Sequence, residues 1–161
     1  ELLRRLKRAE IANLKTAVFK PKLDVRYDNK KVVSHDANTI ISKTVNHPNE
    51  ILSLVTEEKV IAIDEAQFFN NNIVPVCNNL AINGKRVIVA GLDMDFLGEP
   101  FGAMPQLLAI AEHITKVHAI CLDCGGIANY SFRLTKNKNL VQLGQKEEYK
   151  PLCRECFSKN T

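Results

Sequence analysis

The chain has 161 residues, 45% of them apolar and 25% charged, with 22 lysines and arginines against 18 acidic residues. That is room for one ordinary domain with a small appendage, and the apolar content excludes a disordered chain. The net charge of +4 is too mild to mark a polyanion-binding protein, and the longest apolar runs, such as residues 87–92, are far too short to cross a bilayer.

Residues 2–13 read as a helix from the spacing of Leu2, Leu3 and Leu6. Arg4, Arg5, Lys7 and Arg8 would form its solvated face. A nucleic-acid patch is the other reading of that cluster, but no second basic run extends it. Residues 16–19 read as a short strand ending at Pro21, and residues 24–36 as a polar loop. Residues 39–45 alternate like a strand, and Pro48 opens a short helix through Leu54. Residues 60–63 are a compact apolar strand that stops at two acidic residues. Residues 70–83 look helical and close at Gly84. Residues 86–91 form the most convincing strand, apolar enough for burial on both faces. After a loop rich in Gly and Phe, Pro105 begins a helix through His113, and residues 116–120 form a strand leading into Cys121. The remainder, 121–161, reads as short strands and turns around cysteines.

Alternating strands and helices from 2 to 120 predict an α/β body, a parallel sheet flanked by helices. The composition shift at Cys121 predicts a second, smaller lobe at 121–161. Four of the five cysteines form two Cys-x-x-Cys pairs, Cys121/Cys124 and Cys153/Cys156. Each pair can bring two thiolates to one ion, and two pairs complete a tetrahedral zinc site with no position left for a substrate water. Such a zinc is structural, and free thiols of this kind suit a reducing, cytoplasmic setting. Cys77 sits in an apolar helical stretch and reads as a core residue. His35, His47, His113 and His118 lack metal-ligand spacing and read as structural or surface residues.

The run Val60-Ile61-Ala62-Ile63-Asp64-Glu65 has the Walker B pattern, an apolar strand delivering carboxylates to the ligand-facing end of an open α/β sheet. Such carboxylates can hold Mg²⁺ through water or take a proton, although acidic residues after a strand also commonly start a helix. The continuation Ala66-Gln67-Phe68-Phe69 makes the segment resemble the zinc-containing, cellular and bacterial thymidine kinase family, whose members carry Asp-Glu-x-Gln-Phe-Phe. The resemblance extends to Glu1-Leu2-Leu3-Arg4-Arg5, Phe19-Lys20-Pro21, Asp24-x-Arg26-Tyr27 and Ser34-His35. It continues through Gly91-Leu92-Asp93, Phe96, Pro100-Phe101-Gly102, both cysteine pairs and Tyr149. It places the family's Gly-x-x-x-x-Gly-Lys-Ser/Thr phosphate loop directly before Glu1, so the sequence is expected to be truncated upstream. Thr135 to Leu140 is a shorter lid than in some relatives, and residues are expected to be missing there too.

The resemblance implies a P-loop kinase core with a zinc-bearing lasso lobe, moving the ATP γ-phosphoryl group to thymidine. It implies Glu65 as general base and Asp64 as the residue orienting Mg²⁺. Ala66, Gln67, Asp24, Arg26 and Arg133 would join them around ATP and Mg²⁺, with a surface salt bridge as the alternative for Arg133. Phe68, Leu92, Phe96 and Ser131 would line the nucleoside pocket together with Gln67. Leu140, Val141, Gln142, Leu143 and Gly144 would grip thymine through their main chain, and Tyr149 would close over the sugar. A homotetramer inhibited by thymidine triphosphate is also implied, with no membrane or nucleic-acid partner. The rival reading is a zinc-ribbon nucleic-acid-binding module on an inactive α/β domain, which leaves Asp64 to Phe69 without a purpose.

Overall fold

A computed structural model describes residues 1–22, 31–33, 39–134 and 148–161, with the backbone alone at 31–33 and 39–40. The described residues form two compact units. The first comprises residues 1–92 and 102–112, and the second residues 93–101 and 113–161.

The first unit is built on a sheet of four parallel strands. Strand β1 (Thr16–Pro21) pairs with β4 (Lys43–Val45) on one side and β5 (Val60–Ile63) on the other, and β5 pairs with β6 (Arg86–Val89). Alternation along the strands divides the core into two clusters. Phe19, Ile61 and Ile63 point to the side covered by α2 (Glu50–Leu54), α3 (Ile73–Ile82) and α4 (Met104–Ile110). Val18, Val60, Ala62 and Ile88 point to the other side, where Leu2, Leu6 and Ala9 of α1 (Leu2–Ile11) cover them. Full burial of a side chain such as Leu6 contributes about 1.5–3 kcal/mol, so α1 is anchored by its apolar stripe. All four residues of β5 are buried, as suits one of the two inner strands of the sheet.

The second unit holds three pairs of short antiparallel segments around the cysteines. Strand β7 (Ala119–Ile120) pairs with β8 (Ile127–Ala128), β9 (Tyr130–Arg133) pairs with β10 (Tyr149–Leu152), and Met94 bridges Pro100. Helix α5 (Arg154–Asn160) lays Phe157 against the Tyr130 ring, with centroids 4.5 Å apart.

Several elements differ from expectation. Residues 39–45 form two strands, because the chain changes partner at Ser42: β3 (Thr39–Ile41) pairs antiparallel with β2 (Lys31–Val33), while β4 joins β1. Strand β2 itself falls in a stretch read as loop, since three residues, Lys31 to Val33, are too few to show alternation. Strand β6 is not buried on both faces: only Ile88 is buried, because β6 ends the sheet among the described residues. The strand expected at 116–120 shortens to two exposed residues paired with β8. The helix expected to reach His113 stops at Ile110, and α5 was read as turns.

Candidate functional site

Strand β5 ends at Ile63, and Asp64 and Glu65 follow it directly. After Ile63 the backbone is held from β1 and from the residue just past β6: Asp64 N–H donates to Phe19 O at 2.9 Å, and Ala66 N–H donates to Ala90 O at 3.0 Å. Between these two anchors Glu65 adopts a left-handed conformation, φ 52° and ψ 39°, which few residues other than glycine occupy. A single 3₁₀ turn, Ala66–Phe68, follows at once. The turn buries Ala66 and Gln67, while Phe69 enters the core and Phe68 stays half-buried.

Gln67 links the carboxylate to the segment that follows β6. Its Nε2 donates to Glu65 Oε2 at 2.6 Å, and its Oε1 accepts from Leu92 N–H at 3.1 Å. Two glycines make room for it. A Cβ on Gly91 would lie 2.7 Å from Gln67 Oε1, and a Cβ on Gly102 would collide with the Gln67 carbonyl oxygen. Burial pushes the Asp64 carboxyl up, offset in part by the Glu65 backbone and by Lys20. Glu65 reaches solvent, yet the protein around it pushes its carboxyl up as well, and Asp64 adds to this while Gln67 and Lys20 oppose it. Two adjacent carboxyls that resist ionisation suit two tasks, holding a divalent cation and taking up a proton. That donor set fits hydrated Mg²⁺.

In the second unit, Asp95 folds the 93–101 loop by accepting from Leu97 N–H and Glu99 N–H, at 2.8 and 3.1 Å. The loop places Phe96 under the Arg133 guanidinium, 3.6 Å from the ring centroid. Arg133 is buried rather than on the surface. It donates to the Tyr149 hydroxyl from Nε and Nη2, at 3.1 and 2.8 Å, across the β9–β10 pair. Ser131 is half-buried on the same strand.

The four cysteine sulfurs lie within 4.8 Å of one another. Tetrahedral zinc with Zn–S bonds of ~2.3 Å requires sulfurs about 3.8 Å apart, and Cys124 Sγ and Cys153 Sγ stand 3.6 Å apart. The first knuckle closes through Cys121 N–H to Gly126 O at 2.7 Å, with Gly125 in the left-handed region at φ 75°. The second caps α5, where Cys153 Sγ accepts from Cys156 N–H at 3.4 Å. Burial pushes the Cys121 thiol up, but backbone groups of Cys153, Cys124 and Asp123 outweigh it and bring the thiol down to about 6. Cys156 is pushed up, first by the Cys153 thiol and then by burial. Four crowded thiols that cannot all ionise together fit a divalent cation, which would be held by all four with no open position.

The family profile described as Thymidine kinase matches residues 1–157. The chain belongs to the thymidine kinase family. It is 53% identical to a thymidine kinase of Bacteroides thetaiotaomicron over 157 residues, covering 98% of this chain and 79% of the relative. It is 53% identical to one of Porphyromonas gingivalis over 159 residues, 99% of this chain and 78% of the relative. A Rhodothermus thymidine kinase is 52% identical over 157 residues, 98% of this chain and 74% of the relative. This thymidine kinase family member is an enzyme of the kinase class, with an α/β fold and four clustered cysteines that can hold zinc.

The site residues expected from the sequence divide between the units. Asp64, Glu65, Ala66, Gln67 and Phe68 share one turn, with Leu92 tied to it through Gln67. Phe96, Arg133 and Tyr149 form one stack. Asp24, Arg26, Leu140, Val141, Gln142, Leu143 and Gly144 lie outside the described residues. Sequence reasoning gave no role to Gly91, Gly102, Asp95 or Lys20. The Asp-x-x-Gly spacing of Asp95 and Gly98 is the one signal that foreshadows the loop turn.

Proposed function

We propose that this protein transfers the γ-phosphoryl group of ATP to the 5′-hydroxyl of thymidine, giving thymidine monophosphate in nucleoside salvage. Deoxyuridine, which lacks only the methyl group, is a candidate second acceptor. The observation that carries this reading is the Asp64–Glu65 turn at the carboxyl end of β5, in a chain 53% identical to proteins named thymidine kinase.

Glu65 acts as general base. A nucleoside hydroxyl is a weak nucleophile, and a carboxylate whose pKa is raised, first by burial, is a stronger base for removing its proton as the in-line attack develops. Asp64 would hold hydrated Mg²⁺, an ion that supplies charge neutralisation for the donor phosphates. Ala66, Asp24 and Arg26 belong to the same phosphate side of the reaction. Phe68, Leu92, Phe96 and Ser131 give the nucleoside its walls, and Tyr149 covers the sugar. Thymine presents acceptor, donor and acceptor along one edge, a pattern that the backbone of Leu140, Val141, Gln142, Leu143 and Gly144 can match. Arg133, buried against Phe96 and bonded to Tyr149, is better placed to steady that tyrosine than to stand in a surface ion pair. The four cysteines hold structural zinc. A cytoplasmic homotetramer restrained by thymidine triphosphate completes the reading, and light scattering with and without that nucleotide tests it.

Glu65→Gln keeps the shape and removes the base. Turnover in the complete protein should fall by ~10²–10⁴-fold, with thymidine affinity little changed. Asp64→Asn should instead raise the Mg²⁺ concentration needed for half-maximal rate. Near-normal turnover in Glu65→Gln would remove the residue from the mechanism.

A further inference from the structure

Strand β9 has two faces with different uses. Tyr130 and Phe132 point to one side, where both rings meet Phe157 of α5. Ser131 and Arg133 point to the other, and the β9–β10 register sets Tyr149 directly opposite Arg133. Residues directly opposite in an antiparallel pair hold their side chains next to one another, so strand pairing itself brings Arg133 to Tyr149.

The guanidinium makes two kinds of contact at once. Its edge donates from Nε and Nη2 to the Tyr149 hydroxyl, at 3.1 and 2.8 Å. Its flat face lies over the Phe96 ring, 3.6 Å from the centroid. Only a planar fork can do both, since a lysine ammonium is a point charge with no face to stack. Phe96 is also fixed by its own loop. Asp95 N–H donates to Glu99 O at 2.9 Å, Gly98 N–H donates to Asp95 O at 3.1 Å, and the Asp95 carboxylate accepts from Leu97 and Glu99 N–H. The loop tip lies close on the Tyr130 ring, where a Cβ at Gly98 would come within 3.1 Å. Phe96 and Tyr149 each remain half-buried, while Arg133 is 7% exposed. A buried cation thus joins two rings that both still reach solvent.

We infer that Arg133 is a positioning residue for the nucleoside, holding Phe96 and Tyr149 as one clamp through the plane and fork of its guanidinium rather than through its charge. This rests on the reading of Phe96 and Tyr149 as nucleoside contacts. Arg133 then serves the acceptor side of the reaction and not the donor phosphates. Its loss should weaken thymidine and spare ATP.

The test measures thymidine and ATP binding separately, by calorimetry, in the complete protein and in Arg133→Lys, Tyr149→Phe, the double variant and Phe96→Ala. Lysine keeps the charge and loses the plane. Thymidine Kd should rise on the order of tenfold in Arg133→Lys, while ATP Kd stays within about threefold of the parent. Because Arg133 acts through the Tyr149 hydroxyl, the double variant should bind thymidine about as weakly as the weaker single variant. Two independent losses would instead multiply. Multiplied losses, parental thymidine binding in Arg133→Lys, or a loss that falls on ATP would each overturn the inference. Where Arg133→Lys does not fold, the ¹⁵N signals of Arg133 decide. Separate Nη resonances in the thymidine-bound parent that merge in Tyr149→Phe support the fork, and merged resonances in the bound parent overturn it. If Phe96→Ala binds thymidine as the parent does, the reading of the nucleoside wall fails first. If Phe96→Ala weakens thymidine and Arg133→Lys does not, only the role of Arg133 fails.

Discussion

Two carboxyls side by side at the end of a buried strand work against folding, and the sign of that effect can be measured. Asp64 and Glu65 both have folded-state values raised above their ordinary 3.8 and 4.5. A raised acid binds its proton more tightly in the folded chain, so its stabilising contribution is complete below the unfolded pKa. It is lost as pH rises through the folded one. Without divalent cation, Asp64→Asn and Glu65→Gln should therefore gain stability relative to the parent between pH 4 and pH 7. Thermal melts at the two pH values check this, and a difference that stays flat or narrows would contradict the burial argument. Added Mg²⁺ should reverse the order at neutral pH, since it stabilises only the ionised pair. Cys77 carries no such tension. Its thiol is pushed up to about 12 by burial alone, and it serves as a small apolar filler of α3.

At the scale of elements, α5 depends on one residue twice. It has only seven residues, too few to persist alone, and its start is held by Cys153, which both caps the helix and belongs to the cysteine cluster. Serine is a better cap than a thiol but a poor zinc ligand. Cys153→Ser therefore separates the two roles. Zinc content after dialysis against a mild chelator should fall well below one per chain, and the near-ultraviolet signal of Tyr130 against Phe157 should weaken. Full zinc retention would show that three thiols suffice. This element also shows where the sequence was opaque. Residues 60–63 were legible to the residue because four consecutive apolar positions bounded by charges admit little else. The cysteine pairs were legible because spacing alone fixes their reach. Helix α5 was not, because one Phe157 in seven mostly polar residues gives no periodicity. The partner change at Ser42 was not, because alternation reports that a strand exists and is silent about its neighbour. Gln67 was read as lining a pocket, since the glycines that enclose it lie 24 and 35 positions further along the chain.

For the molecule as a whole, each compact unit has its own core, and the two differ in kind. The sheet unit carries two clusters of buried aliphatic residues. The cysteine unit has one small cluster of Cys121, Ala128, Tyr130, Leu152 and Phe157, which is too little apolar surface to hold two-stranded pairs without a metal. Chelation should therefore remove tertiary signal from residues 113–161 at a temperature where most far-ultraviolet helix signal persists, giving two transitions by calorimetry in place of one. A single coincident transition with and without chelator would refute this. The parallel sheet has a consequence of another sort, in time. No neighbouring pair in the order β4-β1-β5-β6 can be closed by a tight turn, so each contact waits on a crossover. Strand β5 gains its partners only when residues far behind and ahead of it have arrived, which places the fold among the slower ones. Until then a strand that is apolar on both faces stands open to other chains. The same sequence that makes residues 60–63 the surest element of the native state makes them its chief hazard during synthesis, and speed of crossover closure decides which outcome prevails.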